Sequence, residues 1–280
     1  DSTFRASAPP PGRMTYPDPT FSMIRVFARM NGLKDRAVPW TEALANPEIL
    51  LDQDPDLVYV CRPNNPTGTS SSKAWVLDLL GAAGPRGPLV VLDEAYADYA
   101  EDDLLREAVA SERLLVLRTF SKLYGLAGLR VGFGVGPAEL IAEVEKARGP
   151  YKVNALAERA AVAALDDTTG WAARIATETL ENRERLGREL ESRGLTPLPS
   201  QANFLLIPTG FGTGGAVKGF PGVSASELND RLRGSGVAAR PFTNLDAIGD
   251  ALRVSIGPWE QMVRFLEALD KALSIGRRSK

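Results

Sequence analysis

The sequence has 280 residues, of which 44% are hydrophobic and 24% are charged, and its formal net charge is −2. A chain of this length and composition can bury a large core, and it fits one large domain with one smaller domain. The charge balance argues against nucleic acid as a partner, the single cysteine excludes an internal disulfide framework, and the absence of histidine disfavours zinc sites and histidine-based catalysis. No apolar run reaches the length of a membrane span and the first residues lack a signal sequence, so we expect a cytoplasmic protein without a membrane partner.

Short apolar runs alternate with helical stretches through the first half of the chain. This alternation is typical of an α/β fold with a mostly parallel sheet flanked by helices. The runs and helical stretches lie at residues 56–61, 74–83, 88–96, 113–120, 129–136 and 137–147.

The second half begins with a proline-free segment, Asn154 to Arg193, that predicts a long helix or a pair of helices. Beyond it, strand-like and helical patterns alternate again at residues 202–208, 224–236, 237–242, 251–257 and 260–273. We therefore predict a large domain at residues 1–150, connecting helices at 151–193 and a small C-terminal α/β domain at 194–280. A glycine-rich loop at 209–222 has no role that the sequence indicates.

Three polar motifs stand where an apolar run ends: "RPNNPTGT", "DEAY" and "TFSK". Ligands of open α/β sheets bind at the carboxyl ends of the strands, so Asn65, Asp93, Tyr96 and Lys122 are expected to converge in one crevice. Taken singly, each residue has another explanation, as a turn, a helix cap, a core residue or a solvent-facing lysine.

Pyridoxal phosphate accounts for all four residues together, because it requires a lysine for a Schiff base and an acid beside its ring nitrogen. Lys122 supplies the amine and Asp93 the carboxylate, while Asn65 and Tyr96 can bond to the phenolic oxygen of the ring. The phosphate has candidate ligands nearby, namely Arg130, Thr119 and Ser121.

The motifs "PNNPTG", "VVLDEAY" and "TFSKLYGLAGLRVGF" stand in the order and spacing of the fold-type I pyridoxal-phosphate aminotransferases, which this sequence resembles over nearly its whole length. Within that group the closest resemblance is to the histidinol-phosphate aminotransferases, through "YPDPTFSMIR", "SQANFLLI", "ARPF" and "LRVSIG". The resemblance implies transfer of an amino group to 2-oxoglutarate in histidine biosynthesis, with Lys122 as the proton carrier. It also implies a homodimer.

The same resemblance assigns roles to four further residues. Phe21 would stack on the cofactor ring, Arg253 would bind the α-carboxylate of the substrate with Asn203 near it, and Arg240 would help to hold a substrate phosphate. Surface ion pairs are the alternative for the two arginines.

One part of the family pattern has no counterpart in this sequence. In the family, a loop of small residues opening a helix supplies backbone N–H groups to the cofactor phosphate, and an N-terminal arm reaches the neighbouring subunit. Neither precedes Asp1. The resemblance therefore implies that the sequence starts within the helix that follows this loop and lacks an N-terminal segment.

Three other functions remain open from the residues alone. An aromatic-amino-acid aminotransferase or a threonine-phosphate decarboxylase would use the same lysine and aspartate. A non-catalytic, ligand-sensing domain is disfavoured by the intact substrate arginine Arg253.

Overall fold

The computed structural model describes residues 11–210 and 223–277. The chain folds as two compact units, the first made of Asp1–Asn65 with Ser70–Ala173 and the second of Pro66–Thr69 with Arg174–Lys280. The helix expected at the start of the chain and most of the glycine-rich loop lie outside the described residues.

The boundary between the two units falls between residues 173 and 174. This position lies inside the segment that the sequence predicts to be a connector. The three-part division at residues 150 and 193 stays a prediction.

The first unit is built on a six-stranded sheet in the order β2-β1-β3-β4-β5-β6. Every neighbouring pair is parallel except β5 and β6, which are antiparallel at one edge. The strands are β1 (Arg13–Asp18), β2 (Lys34–Pro39), β3 (Leu57–Cys61), β4 (Leu89–Asp93), β5 (Leu114–Thr119) and β6 (Gly132–Val135). The predicted α/β class, with a mostly parallel sheet, is confirmed.

The central strands are nearly continuous apolar runs because helices cover both faces of the sheet. All five residues of β3 are buried, and in β4 only the last residue, Asp93, keeps some exposure. One face packs a core that contains Val58, Val90 and Trp75, and the other packs a core that contains Tyr59 and Val91. A polar residue that ends such a strand therefore sits at the rim of a dry core.

The helices of the first unit are short or of medium length. Two of them are preceded by a residue whose side chain accepts a hydrogen bond from the first turn, namely Ser72 from Trp75 N and Asn154 from Ala157 N. They are α1 (Met23–Met30), α2 (Trp40–Ala45), α3 (Lys73–Ala83), α4 (Leu105–Ala110), α5 (Ala138–Ala147) and α6 (Ala155–Leu165).

The second unit has a three-stranded antiparallel sheet in the order β7-β9-β8. Its strands are β7 (Phe204–Pro208), β8 (Arg240–Leu245) and β9 (Gly249–Ser255), and its helices are α7 (Trp171–Ser192), α8 (Ala225–Arg233) and α9 (Trp259–Arg277). Alternate strand residues such as Leu205, Leu252 and Val254 form one core with the helices. The opposite face of the sheet carries the intervening residues.

In the described part of the chain, no helix is both long enough and apolar enough to cross a membrane.

Candidate active site

The ends of three adjacent parallel strands bring the predicted cofactor residues of the first unit to one edge of the sheet. Asp93 is the last residue of β4 and is in register with Cys61 of β3 and Leu117 of β5. The ladder continues one step into the loops, where Arg62 N donates to Asp93 O at 2.8 Å and Glu94 N donates to Leu117 O at 2.9 Å. The loops that carry Asn65 and Lys122 therefore leave the sheet beside Asp93.

Both carboxylate oxygens of Asp93 accept hydrogen bonds from the protein. Tyr59 Oη donates to Oδ2 at 2.7 Å, and the backbone N–H of Ala95 donates to Oδ1 at 3.1 Å. Burial raises the pKa of Asp93, while these two bonds and the charge of Lys122 act in the opposite direction. The carboxylate is held in one orientation at the rim of the core.

Lys122 follows β5 and lies half-buried, with its amine against Tyr96. The distance from Nζ to the centre of the Tyr96 ring is 5.0 Å. The lysine also interacts electrostatically with Asp93. The structure thus brings together the amine, the carboxylate and the phenol that the sequence predicts to meet.

Phe120 anchors the loop around Lys122, because its ring is buried against Ala157 and Ala161 of α6. Phe120 N donates to Val131 O at 3.2 Å and Leu126 N donates to Phe120 O at 2.9 Å, so the loop folds back on itself. Gly125 closes the turn by donating to Lys122 O at 3.1 Å with a φ of 67°, a conformation that favours glycine.

Thr119 and Ser121 lie next to each other at the end of β5. Thr119 Oγ1 accepts the backbone N–H of Ser121 at 3.1 Å, and both side chains keep some exposure. Arg130 lies at the other end of the loop with left-handed backbone geometry, is exposed, and donates from Nη1 to Ala127 O at 3.0 Å. Its part in phosphate binding stays a prediction.

Asn65 and Phe21 flank the end of β3. The backbone of Asn65 hydrogen-bonds to Cys61. Its neighbour Asn64 is fully buried and ties in the segment before Phe21, with Asn64 Nδ2 donating to Pro19 O at 2.9 Å and Thr20 Oγ1 donating to Asn64 Oδ1 at 3.1 Å. Phe21 is 36% exposed, which leaves its ring available to a ligand.

A buried charge network lies beneath these loops, and the sequence pattern does not predict it. Glu94 is fully buried between two arginines, with Oε1 3.5 Å from Arg62 Nη1 and Oε2 3.1 Å from Arg118 Nε. Leu104 N also donates to Glu94 Oε1 at 3.0 Å. Arg62 Nη2 also pairs with Asp102, and the two terminal nitrogens of Arg118 pair with Asp98 and Asp103. Because Arg62 follows β3, Glu94 follows β4 and Arg118 lies in β5, the network fixes the three strand ends relative to one another.

Tyr59 is a further residue beside Asp93 that the sequence pattern does not predict. It lies two residues before Cys61 on the same face of β3, is 1% exposed, and reaches Asp93. The only sequence signal was a phenol in an otherwise aliphatic strand, "LVYVC", which is equally typical of a core tyrosine.

The second unit carries the three predicted substrate residues. Arg240 of β8 and Arg253 of β9 are paired in register. The guanidinium carbon of Arg253 lies 4.9 Å from the centre of the Phe204 ring and 5.6 Å from that of Phe242, and Arg240 lies 6.0 Å from the Phe242 ring. Arg240 is exposed and Arg253 is partly exposed. Both guanidinium groups therefore keep some exposure and lie next to aromatic rings.

Asn203 precedes β7 and accepts a hydrogen bond at its carbonyl from Ile256 N at 2.8 Å, which fixes it beside the end of β9. A cavity of about 490 Å³ in this unit is lined by Arg240, Arg253 and a third arginine, Arg264. None of the residues that line it is acidic.

Segment 66–69, which carries the "PTGT" part of the first polar motif, belongs to the second unit. Gln201 N donates to Gly68 O at 2.8 Å, and a Cβ at Gly68 would lie 2.4 Å from Ser200 Oγ. A glycine is required at position 68 both by this close approach and by its φ of 79°.

The family model for class I and II aminotransferases matches residues 2–269. A histidinol-phosphate aminotransferase from Symbiobacterium thermophilum is 37% identical over 99% of this chain and 75% of its own length. An aromatic amino acid aminotransferase from Corynebacterium jeikeium is 39% identical over 78% of this chain and 56% of its own length. A crystal structure of histidinol-phosphate aminotransferase from Sinorhizobium meliloti with pyridoxal 5′-phosphate is similar in fold, with a TM-score of 0.83 and 24% identity over 98% of this chain and 73% of that one.

The chain belongs to the class I and II aminotransferases. It is a pyridoxal-phosphate-dependent enzyme of fold type I.

The residues of the first unit fit this cofactor. Asp93 accepts one hydrogen bond from the protein at each carboxylate oxygen, and burial raises its pKa. A cationic ring nitrogen beside its exposed part would offset the free-energy cost of keeping the carboxylate charged. The Lys122 amine is close enough to the same carboxylate to interact with it electrostatically.

Proposed function

We propose that the chain catalyses histidinol-phosphate:2-oxoglutarate transamination in histidine biosynthesis. The name of the Symbiobacterium thermophilum relative, the likeness over almost the whole chain, and a pair of accessible arginines for an anionic substrate support this proposal. The observation that carries the chemistry is the Lys122 amine, held 5.0 Å from the Tyr96 ring and coupled to the Asp93 carboxylate.

Pyridoxal phosphate, when bound, supplies an electron sink for the negative charge that develops at the substrate α-carbon. Lys122 would bind the cofactor through Nζ, and its free amine would carry the proton between the substrate α-carbon and the C4′ atom of the cofactor, first as a general base and then as a general acid. Asp93 keeps the ring nitrogen protonated. Asn65 and Tyr96 donate to the phenolic oxygen.

Four other residues of the first unit hold the cofactor in this proposal. Thr119, Ser121 and Arg130 donate to its phosphate, for which a guanidinium fork and hydroxyl groups are suitable ligands. Phe21 covers the ring, because its side chain is partly exposed at the end of the tethered segment.

The substrates differ in their anionic groups. Glutamate and 2-oxoglutarate carry an α-carboxylate, whereas histidinol phosphate carries a phosphate and no carboxylate. We assign the α-carboxylate to Arg253 with Asn203 beside it, and assign Arg240 to the phosphate.

A half-reaction assay tests the proposal. The enzyme loaded with pyridoxal phosphate is mixed with histidinol phosphate, phenylalanine or threonine phosphate, and conversion of the cofactor is followed by its absorbance. Histidinol phosphate is expected to react with the highest kcat/KM. A preference for phenylalanine would instead support an aromatic-amino-acid aminotransferase, the second candidate, which the similarity to the Corynebacterium jeikeium enzyme favours.

A threonine-phosphate decarboxylase is the third candidate. It would release carbon dioxide from threonine phosphate and leave the amino group on the product, so carbon dioxide release from that substrate without lasting conversion of the cofactor would identify it.

We further propose a homodimer located in the cytoplasm. The family resemblance supports both parts of this statement. Analytical ultracentrifugation of the purified protein tests the dimer, and a sedimentation coefficient of a monomer at micromolar concentration would contradict it.

A further inference from the structure

We propose that Tyr59 is a positioning residue for the cofactor, acting through its hydrogen bond to Asp93. The inference rests on the proposed pairing of Asp93 with the cofactor ring nitrogen. It adds a residue on β3 that has no assigned role in the chemistry.

The position of Tyr59 follows from the strand register. Tyr59 is opposite Val91 and Cys61 is opposite Asp93 in the parallel pair β3–β4. Residues two apart on a strand share a face, so the phenol lies one step before Asp93 on the same face of the sheet. Its hydroxyl reaches forward to Oδ2 at 2.7 Å.

Burial of the Tyr59 hydroxyl has a free-energy cost, and the packing of the core does not require that hydroxyl. Tyr59 is 1% exposed and lies in a core with Met14, Ile24 and Val91. A phenylalanine would fill nearly the same space without burying a polar group, which is unfavourable unless the group is hydrogen-bonded. Its bond to a carboxylate is charge-assisted and so belongs to the stronger class of hydrogen bonds.

The bond has two consequences for Asp93. It stabilises the ionised form, together with the Ala95 N–H, against the desolvation that raises the pKa of this carboxyl. It also fixes the orientation of the carboxylate. The other titratable groups that interact with Asp93 are Lys122, whose charge also favours ionisation, and Cys61, whose thiol has a pKa raised by burial and therefore stays neutral. Burial and the neighbouring Asp93 charge raise the pKa of Tyr59 well above its usual range, so the phenol remains a donor at neutral pH.

Tyr16 offers a matched control. It is also 1% exposed and also donates its hydroxyl to an aspartate, Asp35, at 2.8 Å. Asp35 lies on β2, three strands away from Asp93 in the sheet. The Tyr16 hydroxyl also accepts a hydrogen bond from Arg25 Nε at 3.0 Å. Tyr16→Phe therefore removes a tyrosine hydroxyl bonded to an aspartate, together with this second bond, without touching Asp93.

The experiment measures the dissociation constant for pyridoxal phosphate and the pH midpoint of the absorbance change of the bound cofactor, in wild type, Tyr59→Phe, Tyr16→Phe, Asp93→Asn and Tyr59→Phe/Asp93→Asn. Thermal unfolding of each apoprotein confirms that it is folded.

Tyr59→Phe is expected to raise the dissociation constant about tenfold or more, as for loss of a hydrogen bond to a charged group. It is also expected to move the pH midpoint upward. A ring nitrogen with less positive charge repels the proton on the nitrogen that joins Lys122 to the cofactor less strongly, so that proton is held to higher pH.

Several outcomes of these measurements overturn the inference. Equal changes in Tyr16→Phe and Tyr59→Phe would mean that the hydroxyl contributes to folding alone, and wild-type values in Tyr59→Phe would mean that it contributes nothing. In the Asp93→Asn background, adding Tyr59→Phe should change the dissociation constant less than about twofold if the effect passes through the carboxylate. Wild-type affinity and spectrum in Asp93→Asn would instead refute the proposed role of Asp93, which separates that failure from a failure of the Tyr59 inference. If Tyr59→Phe does not fold while Tyr16→Phe does, the tyrosine is structural and the inference is wrong.

Discussion

The two units hold their functional side chains in different ways. In the first unit, Asp93 and Lys122 lie at the ends of buried parallel strands, above a network in which Glu94 is fully buried between Arg62 and Arg118. In the second, Arg240 and Arg253 lie on an open face of an antiparallel sheet and rest on aromatic rings. Groups that transfer protons need fixed distances, whereas groups that recognise several anions need accessibility.

This contrast predicts that substitutions in the first unit abolish chemistry or folding, whereas substitutions in the second change substrate preference.

Lys122→Ala should lower turnover by about 10⁴-fold or more, because the nucleophile and the proton carrier are lost together. Steady-state kinetics with histidinol phosphate measures the loss. In wild type, borohydride reduction in the presence of pyridoxal phosphate should attach the cofactor to the peptide that contains Lys122. Lys73→Ala, which removes only a pairing with Glu107, is the control. A label on another lysine would show that Lys122 is misassigned.

Arg62→Met should lower the free energy of unfolding by about 3–5 kcal/mol, because removing one partner of a buried ion pair leaves an uncompensated charge. The Arg62 side chain is 1% exposed, and its Nε also donates to Ser71 O at 2.8 Å. Urea unfolding measures the change. Arg148→Met, at an exposed pair with Glu145, should cost about 1 kcal/mol or less. Equal losses in the two variants would mean that the buried network does not stabilise the strand ends.

Arg240→Ala should reduce kcat/KM for histidinol phosphate about ten- to a hundredfold relative to phenylalanine, since a charge-assisted bond to phosphate is lost. Arg253→Ala should weaken glutamate and phenylalanine alike, because both carry an α-carboxylate. Arg233→Ala, an exposed arginine in the same unit, is the control. If Arg240→Ala weakened both substrates equally, the aromatic-amino-acid aminotransferase would become the better assignment.

Glu94 should make stability depend on pH. Burial raises its pKa from an ordinary value of 4.5 to about 7, against the opposing effect of Arg118 and Arg62. The folded state therefore keeps a proton that the unfolded state has lost, so this contribution is fully present below about pH 4.5 and disappears as the pH rises through about 7. Asp93 and Asp98 act in the same direction, because burial raises the pKa of both.

Glu94→Gln should consequently flatten the decline of the unfolding free energy between pH 4.5 and 7, as measured by urea titrations across that range. Glu107→Gln is the control, since a hydrogen bond from Lys73 lowers the pKa of Glu107, so the contribution of Glu107 changes only below about pH 4.5 and the slope in this range should stay as in wild type. An unchanged slope in Glu94→Gln would mean that Glu94 is ionised throughout the range.

Several elements of the fold could not be predicted from local pattern. Strands β1 and β2 were missed, because "RMTYPD" and "KDRAVP" lack the apolar run that marks β3 and β4. They pair over six positions with each other, and β1 continues the sheet beside β3. Their strand structure depends on those neighbours and on one buried face, which a short window of sequence does not reveal.

The sequence by itself determined the class of sheet, the order of the three polar motifs and the positions of Asn65, Asp93, Tyr96 and Lys122 near its edge, because apolar runs that end in polar residues place those residues at the strand ends. Only the tertiary structure decided which side chains hold them. The hydrogen bond from Tyr59 to Asp93 and the pairing of Glu94 with two arginines join residues more than twenty positions apart. Such contacts depend on strand register and on burial, and these properties exist only when the strands are packed side by side.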